Sequence, residues 1–246
     1  MTRISVIDDD ISLDEPTLVE GFPGVGLVGK IATDHMIETH EMDHYANVHC
    51  DGLPRVAVYR DDNPTVTTPV RLYADEERDL VALRSDVPVN PSAATEVAGC
   101  LESWFAETAV FPIFLSGLGH EKGEEPPALY GIATGDGGEA LDRADIGDPP
   151  EAGLVSGPTG AMLAEALQRD RDAVGLVVQS DPQFPDPEAA RVLIREGIDP
   201  IAGTDTPTDG LVDQASEIRE AKRAFAERMQ KANEESTQAE PLKMFQ

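Results

Sequence analysis

Residues 17–38 read TLVEGFPGVGLVGKIATDHMIE, and this stretch decides the fold. Its first part, residues 17–22, is a short apolar run typical of a buried strand. The glycines within residues 21–29 permit a tight turn and a close approach of the backbone. The pattern after them predicts a helix that ends near His40. The chain therefore opens its main fold with a strand, a glycine-rich turn and a helix.

Strands and helices alternate along the rest of the chain. Further strands are predicted over 45–50, 55–60, 65–73, 80–83, 110–115, 129–134 and 173–179. Further helices are predicted from residue 90, over 138–143 and 157–168, from residue 186, and over 207–236. Apolar strands that alternate with helices predict an α/β fold with a mainly parallel or mixed sheet flanked by helices.

Three predicted helices begin with a capping residue followed by proline, at Asn90, Asp186 and Thr206. The cap side chain accepts a hydrogen bond from an amide that has no partner within the helix. Proline at the first helical position costs no hydrogen bond, because an amide there would have no partner within the helix either. Within the strand at 110–115, Pro112 predicts a bulge or an edge position, because proline cannot donate to a neighbouring strand. Residues 117–128 are predicted to form a long loop.

Neither an internal repeat nor a linker divides the sequence, so we expect one α/β domain over residues 1–236 and a flexible tail over 237–246. The long C-terminal helix carries apolar residues at spacings of three, four and seven. Such a stripe is typical of a face that packs on its own core or on a sister subunit. Its members are Leu211, Ala215, Ile218, Phe225 and Met229.

The chain has 47 acidic and 19 basic residues and a formal net charge of −28. This charge repels phosphate backbones, so we expect no nucleic-acid partner. Acidic residues spread along the chain, with few lysines, favour a surface adapted to high salt, as in an archaeon living in brine. An acidic mesophilic protein remains the alternative. Neither a membrane span nor a signal peptide is predicted, which favours a cytoplasmic protein without a membrane partner.

The sequence contains two cysteines, Cys50 and Cys100. They could pair, but two thiols do not make a disulfide framework. In a cytoplasmic protein we expect both to be reduced and buried.

Gly24, Gly26 and Gly29 match the GxGxxG pattern of dinucleotide-binding turns, and Lys30 makes the same stretch resemble a P-loop. A P-loop needs serine or threonine after the lysine to hold magnesium, and Ile31 cannot do this. The favoured interpretation is therefore a turn required by the fold. Anion binding by Gly24, Gly26, Gly29 and Lys30 is the alternative, since a helix N-terminus offers exposed amides.

Other chemical patterns are weak. His120 begins an acidic stretch that glycine and proline interrupt, which favours a solvated loop over a metal site. Neither Ser116 nor Ser156 lies in a GxSxG motif. We therefore predict no catalytic residues, no metal and no cofactor.

Three stretches resemble a known family. They are EGFPGVGLVGKIATDHMIE at 20–38, SGPTGAMLAEA at 156–166 and DPEAARVLI at 186–194. They resemble the archaeal and eukaryotic proteasome-assembly-chaperone family, second chaperone type, and the resemblance runs from about residue 16 to residue 229. It implies a sandwich fold related to nucleoside phosphorylases.

The same resemblance implies a non-enzymatic chaperone or regulator of the 20S proteasome, acting as a homo-oligomer or with a paralogue. Some descriptions group the family with ATP-dependent ligases. The alternative function is therefore a nucleotide- or phosphate-binding enzyme that uses the turn from Gly24 to Lys30.

The resemblance also gives a meaning to the last three residues, Met244, Phe245 and Gln246. Related proteasome regulators end in a hydrophobic residue, a tyrosine and any residue, and here Phe245 replaces the tyrosine. Met244 and Phe245 would fill a pocket between α subunits, while the Gln246 carboxylate meets a lysine. Without the resemblance, an accidental Met-Phe pair would be the simpler interpretation.

Overall fold

An eight-stranded mixed sheet runs through the part of the chain that the computed structural model describes, residues 3–60, 63–120, 125–211 and 213. The strands are β1 (Arg3–Val6), β2 (Thr17–Gly21), β3 (Asp43–His49), β4 (Val58–Arg60), β5 (Asn63–Thr67), β6 (Val70–Asp75), β7 (Leu80–Ser85), β8 (Phe111–Gly119), β9 (Leu129–Thr134) and β10 (Ala173–Ser180). Strands β4 and β5 form a separate hairpin.

The sheet has the order β1-β3-β6-β7-β2-β8-β10-β9. Its four central strands, β7, β2, β8 and β10, run parallel to one another. Antiparallel strands flank them, with β6, β3 and β1 on one side and β9 on the other. The predicted mixed sheet is confirmed.

Helices cover both faces of the sheet. They are α1 (Val28–Thr39), α2 (Ala94–Thr108), α3 (Gly138–Arg143), α4 (Gly157–Gln168), α5 (Pro187–Val192) and α6 (Asp199–Ala202), with a π-helical segment, Leu193–Ile198, between the last two. One core lies under α2 and α4, and a second lies under α1, α3 and α5. The predicted helices over 138–143 and 157–168 are confirmed at both ends.

Each central strand contributes to both cores. In β2, Leu18 lies in the core under α4 and Val19 in the core under α1, and both are fully buried. Neighbouring side chains of a strand point to opposite faces, so a strand covered on both faces reads as a continuous apolar run. This is why the central strands could be recognised from sequence.

Two of the three predicted helix caps are confirmed. The Asn90 side chain accepts from the Ser92 amide at 3.0 Å, and Asp186 accepts from the Ala189 amide at 3.1 Å. The prediction for Thr206 is wrong, because its hydroxyl donates to Asp199 at 2.7 Å. Residues 204–208 are not helical, and helix begins at Asp209.

Two histidines, His35 within α1 and His40 directly after it, hold the segment that leads into this last helix. His35 Nε2 lies 2.6 Å from the Pro207 carbonyl oxygen, and His40 Nε2 lies 2.9 Å from the Thr206 hydroxyl. The base of the C-terminal segment is therefore fixed at the end of α1. The predicted stripe beyond Leu211, the tail over 237–246 and the full extent of the single domain lie outside the described residues and stay predictions.

Pro112 is neither at a bulge nor on an edge, because β8 lies between β2 and β10. Successive amides of a strand point to opposite sides. The Phe111 amide donates towards β2, to the Pro16 carbonyl. The nitrogen of Pro112 therefore faces β10, and pairing with β10 starts only at Ile113. Proline is tolerated here because no hydrogen bond to β10 is formed at this position, so the missing amide hydrogen costs no interaction.

Two further boundaries differ from prediction. The expected strand over 65–73 is two strands, because β5 pairs with β4 while β6, which begins after Pro69, joins the main sheet. The loop expected over 117–128 is shorter, since β8 continues to Gly119 beside β10. Within the described residues, no helix is both long enough and apolar enough to cross a bilayer.

The expectation of two reduced cysteines is wrong. Cys50, which follows β3, and Cys100 of α2 form a disulfide with a Cα–Cα distance of 6.0 Å. Both residues are buried in the core under α2. The disulfide links the antiparallel side of the sheet to the helix that covers it.

We predict that removing this disulfide with Cys100→Ser destabilises the protein by about 4 kcal/mol. The estimate follows from the chain entropy of closing a loop with a sequence separation of 50 residues. Guanidinium unfolding with and without reductant measures the difference. The double variant Cys50→Ser/Cys100→Ser is the control, and reductant should not change its stability. Equal stability of oxidised and reduced wild-type protein would contradict the prediction.

Candidate functional site

The glycine-rich turn lies across the carboxyl ends of the central parallel strands. After β2 the chain passes through a 3-10 turn, Val25–Leu27, before α1 begins. Gly26 has φ of +64° and Leu27 has φ of +53°, so two consecutive residues are left-handed. The Asp186 amide donates to the Gly26 carbonyl at 2.8 Å, which ties the turn to the start of α5.

Contacts at the turn explain why glycine is needed at two of its positions. A Cβ on Gly26 would overlap the Ser180 hydroxyl at the end of β10, and a Cβ on Gly21 would overlap the Thr33 hydroxyl of α1. By contrast, a Cβ on Gly24 would have nothing within 4 Å. The interpretation of this turn as a requirement of the fold is therefore supported by packing at Gly21 and Gly26.

Lys30 belongs to a group of five charged side chains, which we call the ionic cluster. Its members are Lys30, Asp34, Arg71, Arg84 and Asp86. Lys30 Nζ lies 2.7 Å from Asp34 Oδ2 and 3.9 Å from Asp86 Oδ1. Arg84 Nε lies 3.0 Å from Asp34 Oδ1, and Arg71 forms an ion pair with Asp86. The Lys30 ammonium, which a P-loop would direct at phosphate, is held by carboxylates here.

Glu20 lies at the end of β2 and is fully buried. Its Oε1 accepts from the Phe22 amide at 2.7 Å. Its Oε2 accepts from the Thr159 hydroxyl of α4 at 2.9 Å and from the Leu115 amide of β8 at 3.3 Å. One carboxyl group thus joins the turn, a neighbouring strand and a helix of the opposite layer.

Burial raises the pKa of Glu20 from 4.5 to about 7, against the opposing effect of the hydrogen bonds from Phe22, Thr159 and Leu115. The carboxyl therefore exchanges a proton near neutral pH. When neutral, it can donate to Thr159, whose hydroxyl lies 3.5 Å from the Leu115 carbonyl and can pass a hydrogen bond on. Such a group can store a proton, but the described residues around it are not arranged as a catalytic pair.

Sequence reasoning located the turn but missed its chemistry. Glu20 is one available signal for this chemistry, because a carboxylate inside an apolar strand is unusual. The spacing of Lys30 and Asp34, four residues apart on a helix, was a second available signal. The tail residues Met244, Phe245 and Gln246 lie outside the described residues.

We expect Gly26→Ala to destabilise the protein by at least about 2 kcal/mol, because alanine is strained at positive φ and its Cβ overlaps Ser180. Gly24→Ala is the matched control. Gly24 has an extended backbone and open space around its Cα, so its replacement should have little effect. Denaturant unfolding of both variants measures the difference. Equal losses at the two positions would contradict this assignment.

Glu20→Gln should change how stability depends on pH. Because the folded pKa is raised, the Glu20 contribution is complete below pH 4.5 and is lost as pH rises through about 7. A shift of this size corresponds to about 3 kcal/mol. The unfolding free energy of Glu20→Gln should therefore rise relative to wild type by up to that amount between these pH values.

Chemical unfolding at fixed salt across this pH range measures the effect. Glu38→Gln on the exposed side of α1 is the control for the chemical change. If the unfolding free energies of wild type and Glu20→Gln differ by a constant amount across this pH range, Glu20 titrates equally in the folded and unfolded states and the prediction is wrong.

Comparison with known proteins identifies relatives in sequence and in structure. The uncharacterized protein MJ0106 of Methanocaldococcus jannaschii is 25% identical over 233 residues, which cover 94% of each chain. Pyrococcus furiosus PbaA, described as an archaeal homolog of proteasome-assembly chaperone, has a similar structure. Its TM-score is 0.77 at 21% identity, over 95% of this chain and 96% of PbaA.

Pyrococcus furiosus PbaB, described as an archaeal proteasome activator, has a TM-score of 0.75 at 22% identity. The match covers 92% of this chain and 98% of PbaB. At such identities these likenesses establish a shared fold. The family is established by a separate match to the PAC2 family over residues 18–226, which include the glycine-rich turn, Glu20 and Thr159. This chain belongs to the PAC2 family.

Proposed function

We propose that this protein is a non-enzymatic assembly chaperone or regulator of the 20S proteasome. The observation that carries the proposal is the PAC2 family match over residues 18–226. The fold shared with PbaA and PbaB along nearly the whole length of each supports it further. The proposal places the protein in the cytoplasm, where the proteasome acts.

The contact is proposed to lie at the C-terminal residues Met244, Phe245 and Gln246. The apolar side chains of Met244 and Phe245 fill a pocket between neighbouring α subunits, and the terminal carboxylate of Gln246 pairs with a lysine there. Extended, residues 233–243 would span about 35 Å, enough to reach from a folded body into a ring pocket.

Several tails on one assembly would bind a symmetric ring more tightly than one tail does, because later contacts become intramolecular. We therefore infer that the protein acts as a homo-oligomer or together with a paralogue. Its net charge of −28 opposes close association at low salt. Association should accordingly be measured in high salt, the environment that we infer for this acidic chain.

The alternative function, a nucleotide- or phosphate-binding enzyme, has less support. Lys30 Nζ is paired with Asp34 at 2.7 Å, and Ile31 supplies no hydroxyl for a metal ion. Calorimetry with ATP on wild type and Lys30→Ala tests it. Heat of binding that is lost in Lys30→Ala would favour the enzyme, and absence of heat with both proteins would end that proposal.

We predict that deletion of Met244–Gln246 abolishes binding to purified α-rings, because the apolar anchor and its carboxylate are lost together. Phe245→Ala should weaken binding at least about tenfold by removing most of the buried aromatic area. Phe245→Tyr should strengthen it about fivefold if the phenol gains one hydrogen bond.

Gln238→Ala is the matched control, since it changes the same tail outside the last three residues. Binding is measured by surface plasmon resonance in high salt. Unchanged binding of the deletion variant would overturn the tail mechanism. Absence of wild-type binding to α-rings and to their assembly intermediates would overturn the proposed function itself.

A further inference from the structure

The first strand of the sheet has one open edge. Strand β1 is a terminal strand and pairs only with β3 within the sheet. The pairing continues beyond the strand, where the Ile7 amide donates to the Tyr45 carbonyl. In an antiparallel pair, every second residue directs its amide and carbonyl at the partner strand. The amides and carbonyls of Ile4 and Val6 therefore point away from β3.

These outward groups are available to another chain. Within the part of the chain that the structure describes, no backbone hydrogen bond from outside the sheet reaches Ile4 or Val6. Neither a proline nor a bulge interrupts the strand. An edge of this kind is a template on which another extended segment can form a strand.

A cavity of about 580 Å³ lies beside this edge. Its walls are Ile4 of β1, Asp51 after β3 and one stripe of α2, and we call it the acidic groove. The stripe covers residues 96–107, about 16 Å of helix, which equals the length of about five residues of a strand. Its members follow one another at spacings of three and four and are Glu96, Gly99, Cys100, Ser103, Trp104 and Glu107.

The stripe runs along β1 and borders open space. Cys100 is bonded to Cys50, which lies level with the start of β1. The Trp104 ring lies 6.4 Å from the ring of Tyr45, which lies level with the residue after β1. Between these two contacts the helix follows the whole edge. A Cβ on Gly99 would meet nothing within 4 Å, so the middle of the stripe leaves room for an occupant.

The charge of the acidic groove selects its occupant. Asp51, Glu96 and Glu107 are exposed, and among the described residues that line the groove none is basic. The net charge of −28 on the whole chain acts in the same direction. A positively charged segment is therefore attracted to the groove, and a negatively charged one is repelled.

We propose that the acidic groove binds an extended, basic polypeptide segment of a partner protein, which adds a strand to β1. The backbone of the segment bonds to the outward groups of Ile4 and Val6, and its side chains give specificity. Paired residues of neighbouring strands share a face, and Ile4 packs on the core under α2. Every second side chain of the segment thus faces α2, where lysine or arginine meets Glu96 and Glu107. The proposal does not rest on the proteasome contact proposed above.

The test uses the full chain and a peptide with alternating lysines, acetyl-TKTKTK-amide, at fixed potassium chloride concentration. Trp104 is the single tryptophan of the sequence and lines the groove, so its fluorescence reports binding there. Acetyl-TTTKKK-amide has the same composition and charge and measures attraction that depends on charge alone. The alternating peptide should bind at least about fivefold more tightly. Equal affinity of the two peptides overturns the proposal.

Methylation of backbone nitrogens tests strand addition directly. One derivative of the alternating peptide is methylated at its three lysine amides, and another at its three threonine amides. An added strand bonds through one of its edges, so only one derivative should lose affinity, by at least about tenfold. Loss with methylated lysines identifies an antiparallel strand, and loss with methylated threonines a parallel one. Equal affinity of the two derivatives overturns the proposal.

Val6→Pro tests the edge of β1. It removes one outward amide and no bond to β3, and proline is tolerated where a strand amide faces away from the sheet. Affinity for the alternating peptide should fall at least about tenfold, while the free energy of unfolding changes little. Unchanged affinity overturns the proposal. If Val6→Pro does not fold, the methylated peptides decide.

The double variant Glu96→Gln/Glu107→Gln tests the charge of the groove. It should bind the alternating peptide at least about fivefold more weakly, because two of the facing carboxylates are lost. Glu139→Gln/Glu151→Gln is the matched control. It removes two exposed carboxylates, one on α3 and one after it, and should bind as wild type does. Equal affinity of the two double variants overturns the proposal.

Discussion

The buried carboxyl of Glu20 is the contact on which the centre of the molecule depends. It accepts hydrogen bonds from the turn after β2, from β8 and from Thr159 at the start of α4. The strands it joins run parallel and cannot be connected by tight turns, so their relative position must be fixed by tertiary contacts. A polar group that is satisfied on all sides fixes one arrangement, whereas apolar packing alone tolerates several.

Packing at the carboxyl ends of the central strands explains why sequence patterns typical of nucleotide-binding turns occur here. Gly26 is required where the turn passes Ser180, and Lys30 pairs with Asp34. Both residue types serve phosphate binding in other folds because they allow close approach and supply charge. Here the close approach is to the protein itself, and the charge is neutralised internally. The pattern follows from the strand-turn-helix geometry, which many α/β proteins share.

The sequence predicted elements whose structure depends on local interactions or on burial of a whole strand. The helix at Gly157–Gln168 and the strand at Ala173–Ser180 are examples. Prediction from the sequence failed where contacts between residues far apart in the sequence determine the structure. Thr206 bonds to Asp199 instead of capping a helix, and the cysteine pairing needs α2 to lie beside the end of β3. In the candidate site, glycine positions were visible, but the roles of Glu20 and Arg71 depend on burial, which neighbouring strands create.

The Cys50–Cys100 disulfide also determines what a break in the chain would do. It closes a covalent ring around residues 51–99, which contains the β4–β5 hairpin and the strands β6 and β7. A protease that cuts the hairpin once opens the ring without separating its ends. The two fragments would migrate as one band in a denaturing gel until reductant is added, and both halves of the cut hairpin would remain covalently attached to the fold.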